Sequence, residues 1–209
     1  QGEALLRDPE DQPAVRVPQV SSGGRLIWIT GISGAGKTTI GKALYERLKP
    51  GMPALVYLDG DEVRQCFGDD LGFTLEARDA NAFRFTRLCR LLCAQGLPII
   101  CAANLTSQRF RDWCRAEIPG YFEVFLDVPM DVLIGRDPKK LYARALSGEA
   151  RNVVGIDIPF VPPAAPDLVI DNSIPQSSFE SVCDRIMEAA GLAGTGPVRS
   201  SGQPQRKDC

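Results

Sequence analysis

The clearest chemical signal in this chain is Gly31-x-x-x-x-Gly36-Lys37-Thr38, set within LIWITGISGAGKTT at residues 26–39. Gly31, Gly34 and Gly36 let the backbone turn where a Cβ would clash. Successive N–H groups can then converge on phosphate oxygens at a helix N-terminus. Lys37 reaches the β- and γ-phosphates and Thr38 ligates Mg²⁺, while Ser33, Ala35 and Thr39 complete the expected ATP-binding loop.

A second group follows the next apolar run. Asp59 and Asp61, separated by one glycine, can divide two tasks, one holding Mg²⁺ through water and the other accepting a proton from an attacking hydroxyl. The apolar run LPIICAA ends without an aspartate, so the usual Walker-B carboxylate is missing and the weight falls on this pair. Arg64, Arg78 and Arg84 come next. Further on, Arg136, Lys139 and Lys140 stand where they can neutralise charge on a transferred phosphoryl group.

These residues need elements to position them. Residues 26–30 read as a β-strand feeding the phosphate loop, and Ile40, Ala43, Leu44 and Leu48 have helical spacing after it. The pattern then predicts strands at 54–58, 97–102, 121–128 and 167–170. Between and after them it predicts helices over 75–95, from a Thr106 cap to Ile118, over 129–136 and over 179–190. Alternation of this kind implies a parallel sheet covered on both faces, with ligands at the carboxyl ends of the strands. Residues 137–166 turn basic and then Pro-rich, the composition of an active-site lid. Residues 1–24 and 192–209 are expected to be a mobile arm and a disordered tail around a domain at 25–191.

Composition narrows the chemistry. The 209 residues contain no histidine, which excludes His-based general catalysis and leaves Asp, Glu, Lys, Arg and a bound metal. A net charge of −2 argues against nucleic acid or an anionic membrane as the main partner. Cys89, Cys93, Cys101 and Cys114 sit in apolar stretches, as core thiols of a reducing compartment do. No run approaches the roughly 20 apolar residues of a membrane span, and residues 1–24 lack a signal-peptide core, so a cytoplasmic location is the expectation.

Four blocks together resemble the adenylylsulfate kinases over almost all of residues 25–172: GISGAGKTT at 31–39, LDGDEVR with DDLGF within 58–73, RDPKKLYARALSGE at 136–149 and GIDIPFVPPAAPDLVID at 155–171. The resemblance implies a P-loop nucleotide kinase with a five-stranded parallel sheet in the order 2-3-1-4-5, acting with MgATP on the 3′-hydroxyl of adenosine 5′-phosphosulfate, and often a homodimer. It places Asp59 as a candidate base, which leaves Asp61 to the metal, and Arg64, Arg78 and Asn81 around the adenylylsulfate. Phe73 stacks on its base, Lys139 acts from the lid, and Arg136 belongs to the nucleotide side. Departures also fall at the acceptor site. Leu105 stands at the family's serine position, Val153 replaces a second stacking aromatic, and Ala80-Asn81-Ala82-Phe83-Arg84 replaces Glu-Asn-Ile-Arg-Arg. A related kinase acts on cytidine diphosphoramidate, so a shifted acceptor is the alternative. A nucleotide-binding module without catalysis is the rival from another class.

Overall fold

The computed structural model describes residues 24–68, 70–173 and 179–192; apart from Gly24 and Leu192, the expected arm and tail lie outside these residues, as does Asp69. The strands are β1 (Leu26–Thr30), β2 (Val56–Asp59), β3 (Ile99–Ala102), β4 (Tyr121–Asp127) and β5 (Leu168–Asp171). They form one parallel sheet in the order β2-β3-β1-β4-β5, as the resemblance implied.

β1 is central and wholly buried. Its side chains alternate between two cores, as a pleated strand requires. On one face Ile27 and Ile29 pack with Ile40, Leu44 and Leu48 of α1 (Lys37–Leu48) and with Val182 and Ile186 of α7 (Phe179–Ala189). On the other, Leu26 and Trp28 meet Phe85, Cys89 and Cys93 of α3 (Leu75–Ala94), and Phe110 and Cys114 of α4 (Gln108–Glu117). Each such buried Leu, Ile or Phe contributes about 1.5–3 kcal/mol, so this double covering is what fixes β1 and the loop that leaves it. The four cysteines expected in the core are all buried. Among the described residues no helix is long and apolar enough to cross a membrane.

Of the boundaries that differ from the sequence reading, two have a clear physical reason. β2 begins at Val56, because the turn after Pro53 occupies the preceding residues. α4 begins at Gln108 after Ser107 rather than on a Thr106 cap. The Ser107 hydroxyl donates to Asp79 of α3 at 2.7 Å, so it is committed between helices and makes no cap bond. Nearby, Arg111 and Glu123 form a fully buried ion pair at 3.1 Å, and Arg111 also donates to the Leu105 carbonyl. Burial pushes the Glu123 carboxyl up, against the pull of Arg111 and Arg115. Removing either partner would strand a buried charge, a loss typically of about 3–5 kcal/mol.

The region read as a lid has structure of its own. After α5 (Met130–Arg136), the Asp137 carboxylate accepts the Leu141 and Ala143 N–H groups at 2.7 and 2.9 Å and so starts α6 (Leu141–Leu146). Further along, the Asp157 carboxylate collects the N–H groups of Asn152 and Val153. That holds Asn152 in the left-handed region, with φ 61°.

Candidate active site

The phosphate loop joins β1 to α1, and its conformation is set by its neighbours. Gly36 has φ 98° immediately before the helix, and a Cβ there would lie 2.7 Å from the Asn172 amide nitrogen. Only glycine fits. That amide donates to the Ala35 carbonyl at 2.8 Å, and the Tyr142 hydroxyl of α6 donates to the Ser33 carbonyl at 2.7 Å. The loop is therefore braced from beyond β5 and from α6. The Lys37 ammonium donates to the Ile32 carbonyl at 2.9 Å, folded against its own loop. Desolvation lowers its pKa to about 8, with Lys139 pushing the same way and Asp61 and Asp59 opposing.

Asp59 ends β2 and caps α2 (Gly60–Cys66). Its buried carboxylate accepts three donors: the Thr38 hydroxyl at 2.8 Å, the Asp61 N–H at 2.9 Å and the Tyr57 phenol at 3.3 Å. Asp61 is exposed and paired with Lys139 at 2.6 Å, a contact that raises the Lys139 pKa. An exposed pair of this sort contributes only about 0.2–1 kcal/mol and is readily exchanged for a substrate. The carboxylate beside Thr38 is that of Asp59, expected as the base, while Asp61, expected at the metal, faces the open cavity with Lys139. The Thr38 hydroxyl and the Asp59 carboxylate are hard oxygen donors at one point beside the phosphate loop. They fit Mg²⁺, which takes one or two carboxylates and completes its shell with phosphate and water oxygens.

Both groups open into a cavity of about 1050 Å³. Its far wall carries Arg64, Phe73, Arg78, Asn81 and Val153. Arg64 donates to the Leu71 and Gly72 carbonyls at 2.8 and 2.9 Å. Arg78 bridges the Phe73 carbonyl at 2.9 Å and the Asn152 carbonyl at 2.8 Å, tying two loops together. Burial and the neighbouring Arg64 lower its pKa. The Phe73 ring is 55% exposed, with the two guanidinium groups 4.5 and 5.6 Å from its centre. Arg144 of α6 and Arg151 also line the cavity.

Several expected residues are placed differently. Gly31, Ala35 and Arg136 do not line the cavity. Arg136 instead donates to the Asn172 and Ser173 carbonyls at 2.7 and 2.8 Å, steadying the segment that braces the phosphate loop. Arg84 pairs with Asp70 on the surface. Val153 touches the cavity but is only 3% exposed and packs into the core. Phe83 lies under Arg87 and Phe160 stacks on Phe125, so neither fills the place of a second aromatic wall. Sequence reasoning missed Tyr57, Tyr142, Asn172 and Asp157 as supports. Tyr142 and Asp157 lie inside the blocks that carried the resemblance, but their partners are 109 residues away for Tyr142 and four or five away for Asp157.

A phosphate loop at the end of a central parallel strand, facing carboxylates across one cavity, defines a P-loop phosphotransferase. The family model for adenylylsulphate kinase matches residues 23–171, and the chain belongs to that family. It is a nucleotide kinase whose acceptor is a hydroxyl group. The adenylyl-sulfate kinase of Paraburkholderia xenovorans is 44% identical over 149 residues, 71% of this chain and 83% of the relative. The cytidine diphosphoramidate kinase of Campylobacter jejuni is 41% identical over 157 residues, 75% of this chain and 91% of the relative. Among solved structures, the Mycobacterium tuberculosis APS kinase in complex with AMPPNP and APS superposes with a TM-score of 0.73 at 32% identity, covering 83% of this chain and 99% of that one.

Proposed function

We propose that this chain transfers the γ-phosphoryl group of MgATP to the 3′-hydroxyl of adenosine 5′-phosphosulfate, giving 3′-phosphoadenosine 5′-phosphosulfate and ADP. The observation that carries this reading is the single cavity joining Lys37, Thr38, Asp59, Asp61 and Lys139 to a wall of Arg64, Phe73 and Arg78. The first group suits a triphosphate, and the second suits a nucleotide with an anionic tail and a flat base. Lys37 would leave the Ile32 carbonyl for the phosphates. Lys139 would leave Asp61 to meet the transferred group, freeing that carboxylate to orient the hydroxyl and take its proton. Thr38 and Asp59 would hold Mg²⁺, which when bound offsets the charge on the β- and γ-phosphates. The new phosphorus–oxygen bond forms directly as the bond to ADP breaks. Leu105, at the family's serine position, is buried and has no nucleophilic atom, which supports transfer without a phosphoenzyme.

Residues 25–191 act in this reading as the kinase domain and 137–166 as its lid, in a cytoplasmic homodimer. The alternative acceptor is cytidine diphosphoramidate, favoured by the Campylobacter relative and by the Val153 side chain being packed into the core. ADP release with a panel of sulfated, phosphorylated and phosphoramidated nucleotides decides between them. The highest kcat/KM is expected with adenosine 5′-phosphosulfate. A higher value with a cytidine acceptor moves the assignment, and no release with any acceptor leaves a binding module.

A further inference from the structure

The loop after β3 is held on three sides. The Trp28 indole N–H donates to the Ala103 carbonyl at 2.8 Å, Arg111 donates to the Leu105 carbonyl, and the Ser107 hydroxyl donates to Asp79. Between these anchors lies Asn104, which lines the cavity. Its side-chain oxygen is buried and has no hydrogen-bond partner among the described residues. With under 1 Å² of accessible surface this oxygen meets a cavity ligand only once the Asn104 side chain turns, and a bound donor then returns the free energy that an unpaired buried amide oxygen costs. It stands two residues past Ala102, the register partner of Asp59, and the next residue, Leu105, packs in one core with Ala82 and Phe85 of α3, which also line the cavity. It therefore belongs to the acceptor end of the cavity. The phosphate oxygens and the sulfate of an acceptor nucleotide offer this oxygen nothing, because they only accept. An amino group donates.

We propose that Asn104 is a specificity-determining residue whose side-chain oxygen accepts a hydrogen bond from an amino nitrogen of the acceptor nucleotide. This rests on the kinase reading of the cavity and adds the chemical class that the acceptor must contain. The amino nitrogen has two sources, the exocyclic amine of the base or the nitrogen of a terminal phosphoramidate.

A substrate-by-variant cycle tests the contact. The probes are three pairs in which oxygen replaces one amino group: adenosine and inosine 5′-phosphosulfate, cytidine and uridine diphosphoramidate, and cytidine diphosphoramidate and cytidine diphosphate. Binding is measured by calorimetry with ADP present and turnover by ADP release, for wild type, Asn104→Leu and Asn104→Ala. In wild type, losing the recognised amino group is expected to weaken binding about 10- to 100-fold, and in both variants that ratio collapses to within about threefold. Collapse in the first two pairs assigns the contact to the base, and collapse in the third alone assigns it to the phosphoramidate. Ratios that are the same in wild type and both variants for every pair overturn the role of Asn104. If the binding ratios collapse but no pair supports ADP release, the kinase reading falls and the contact stands. A wild type that binds none of these nucleotides overturns both.

Discussion

On the donor side of the cavity, the phosphate loop is fixed by backbone geometry and neutral contacts: Gly36 at φ 98°, the Asn172 amide on Ala35, and the Tyr142 phenol on Ser33. On the acceptor side, the segments around Phe73 and Asn152 are held by the guanidinium groups of Arg64 and Arg78 on carbonyls, and by Asp157 on N–H groups. The two lysines differ in the same way. Lys37 rests on a neutral carbonyl and is partly desolvated, whereas Lys139 is exposed and ion-paired. A wall built from backbone serves any nucleoside triphosphate and tolerates little change. One built from side chains can be altered residue by residue, which fits relatives of similar identity carrying the names of two different acceptors.

The largest expected effect breaks the donor side. Lys37→Ala should lower kcat about 10³-fold while leaving the fold and acceptor binding intact, because Lys37 meets phosphate charge and no core contact. Steady-state kinetics with circular dichroism check this, and turnover within a few-fold of wild type would remove the distinction between the two walls.

The aspartate pair sharpens the comparison at its boundary. Asp61→Asn should lower kcat about 10²- to 10⁴-fold with little change in ATP affinity. Asp59→Asn should instead raise the Mg²⁺ concentration for half-maximal binding of ADP about 10- to 100-fold, since it removes the carboxylate beside Thr38. Calorimetric titration with Mg²⁺ separates the two. The opposite pattern would restore the division of roles that the sequence alone suggested.

Protonation gives a smaller effect confined to the donor side. The Lys37 ammonium has its folded pKa lowered to about 8, and bound phosphates favour the charged form. ATP binding should therefore take up a proton above that pH, and affinity should fall as pH rises through about 8, by at most about tenfold per unit. The same shift has a stability consequence of defined sign. Between about 8 and the ordinary lysine value of 10.5 the unfolded chain binds more protons, so this group's contribution to stability rises with pH. Calorimetry in buffers of different ionisation enthalpy detects the proton, and Lys37→Met should abolish it.

The smallest effect concerns the acceptor wall. Because Val153 is packed into the core, Val153→Phe should destabilise by about 1–3 kcal/mol through overpacking instead of supplying a second stacking surface. Thermal unfolding measures the loss. A variant of unchanged stability that binds adenosine 5′-phosphosulfate more tightly would show that the valine side chain reaches the base after all.

The phosphate loop was legible in the sequence because it is local: its glycines, lysine and threonine fall within one turn, and the pattern that names them also shapes them. The sheet order came from the resemblance, while the apolar alternation supplied a parallel sheet without its order. The acceptor side was less legible, because its contacts join distant residues, such as Arg78 to Asn152 and Lys139 to Asp61. Spacing located the two aspartates but could not show which one Thr38 would touch. It also could not show that Ser107 would spend its hydroxyl on Asp79, or that Val153 would turn inward.

The sulfur atoms buried under α3 and α4 have a practical consequence. Cys89, Cys93, Cys101 and Cys114 lie in one core, and desolvation pushes the Cys93 thiol up to about 12 and raises those of Cys101 and Cys114 as well. Thiolate, the form that reacts with alkylating reagents, is therefore suppressed while the sheet face stays covered. Of the described cysteines only Cys66 is exposed, and Cys209 lies outside the described residues. Once those two positions are blocked, the chain carries its own clock for unfolding: these four sulfurs gain mass only when α3 and α4 lift from the sheet, Cys183 on α7 reports on the opposite core, and mass spectrometry can time both events with no added label in the core.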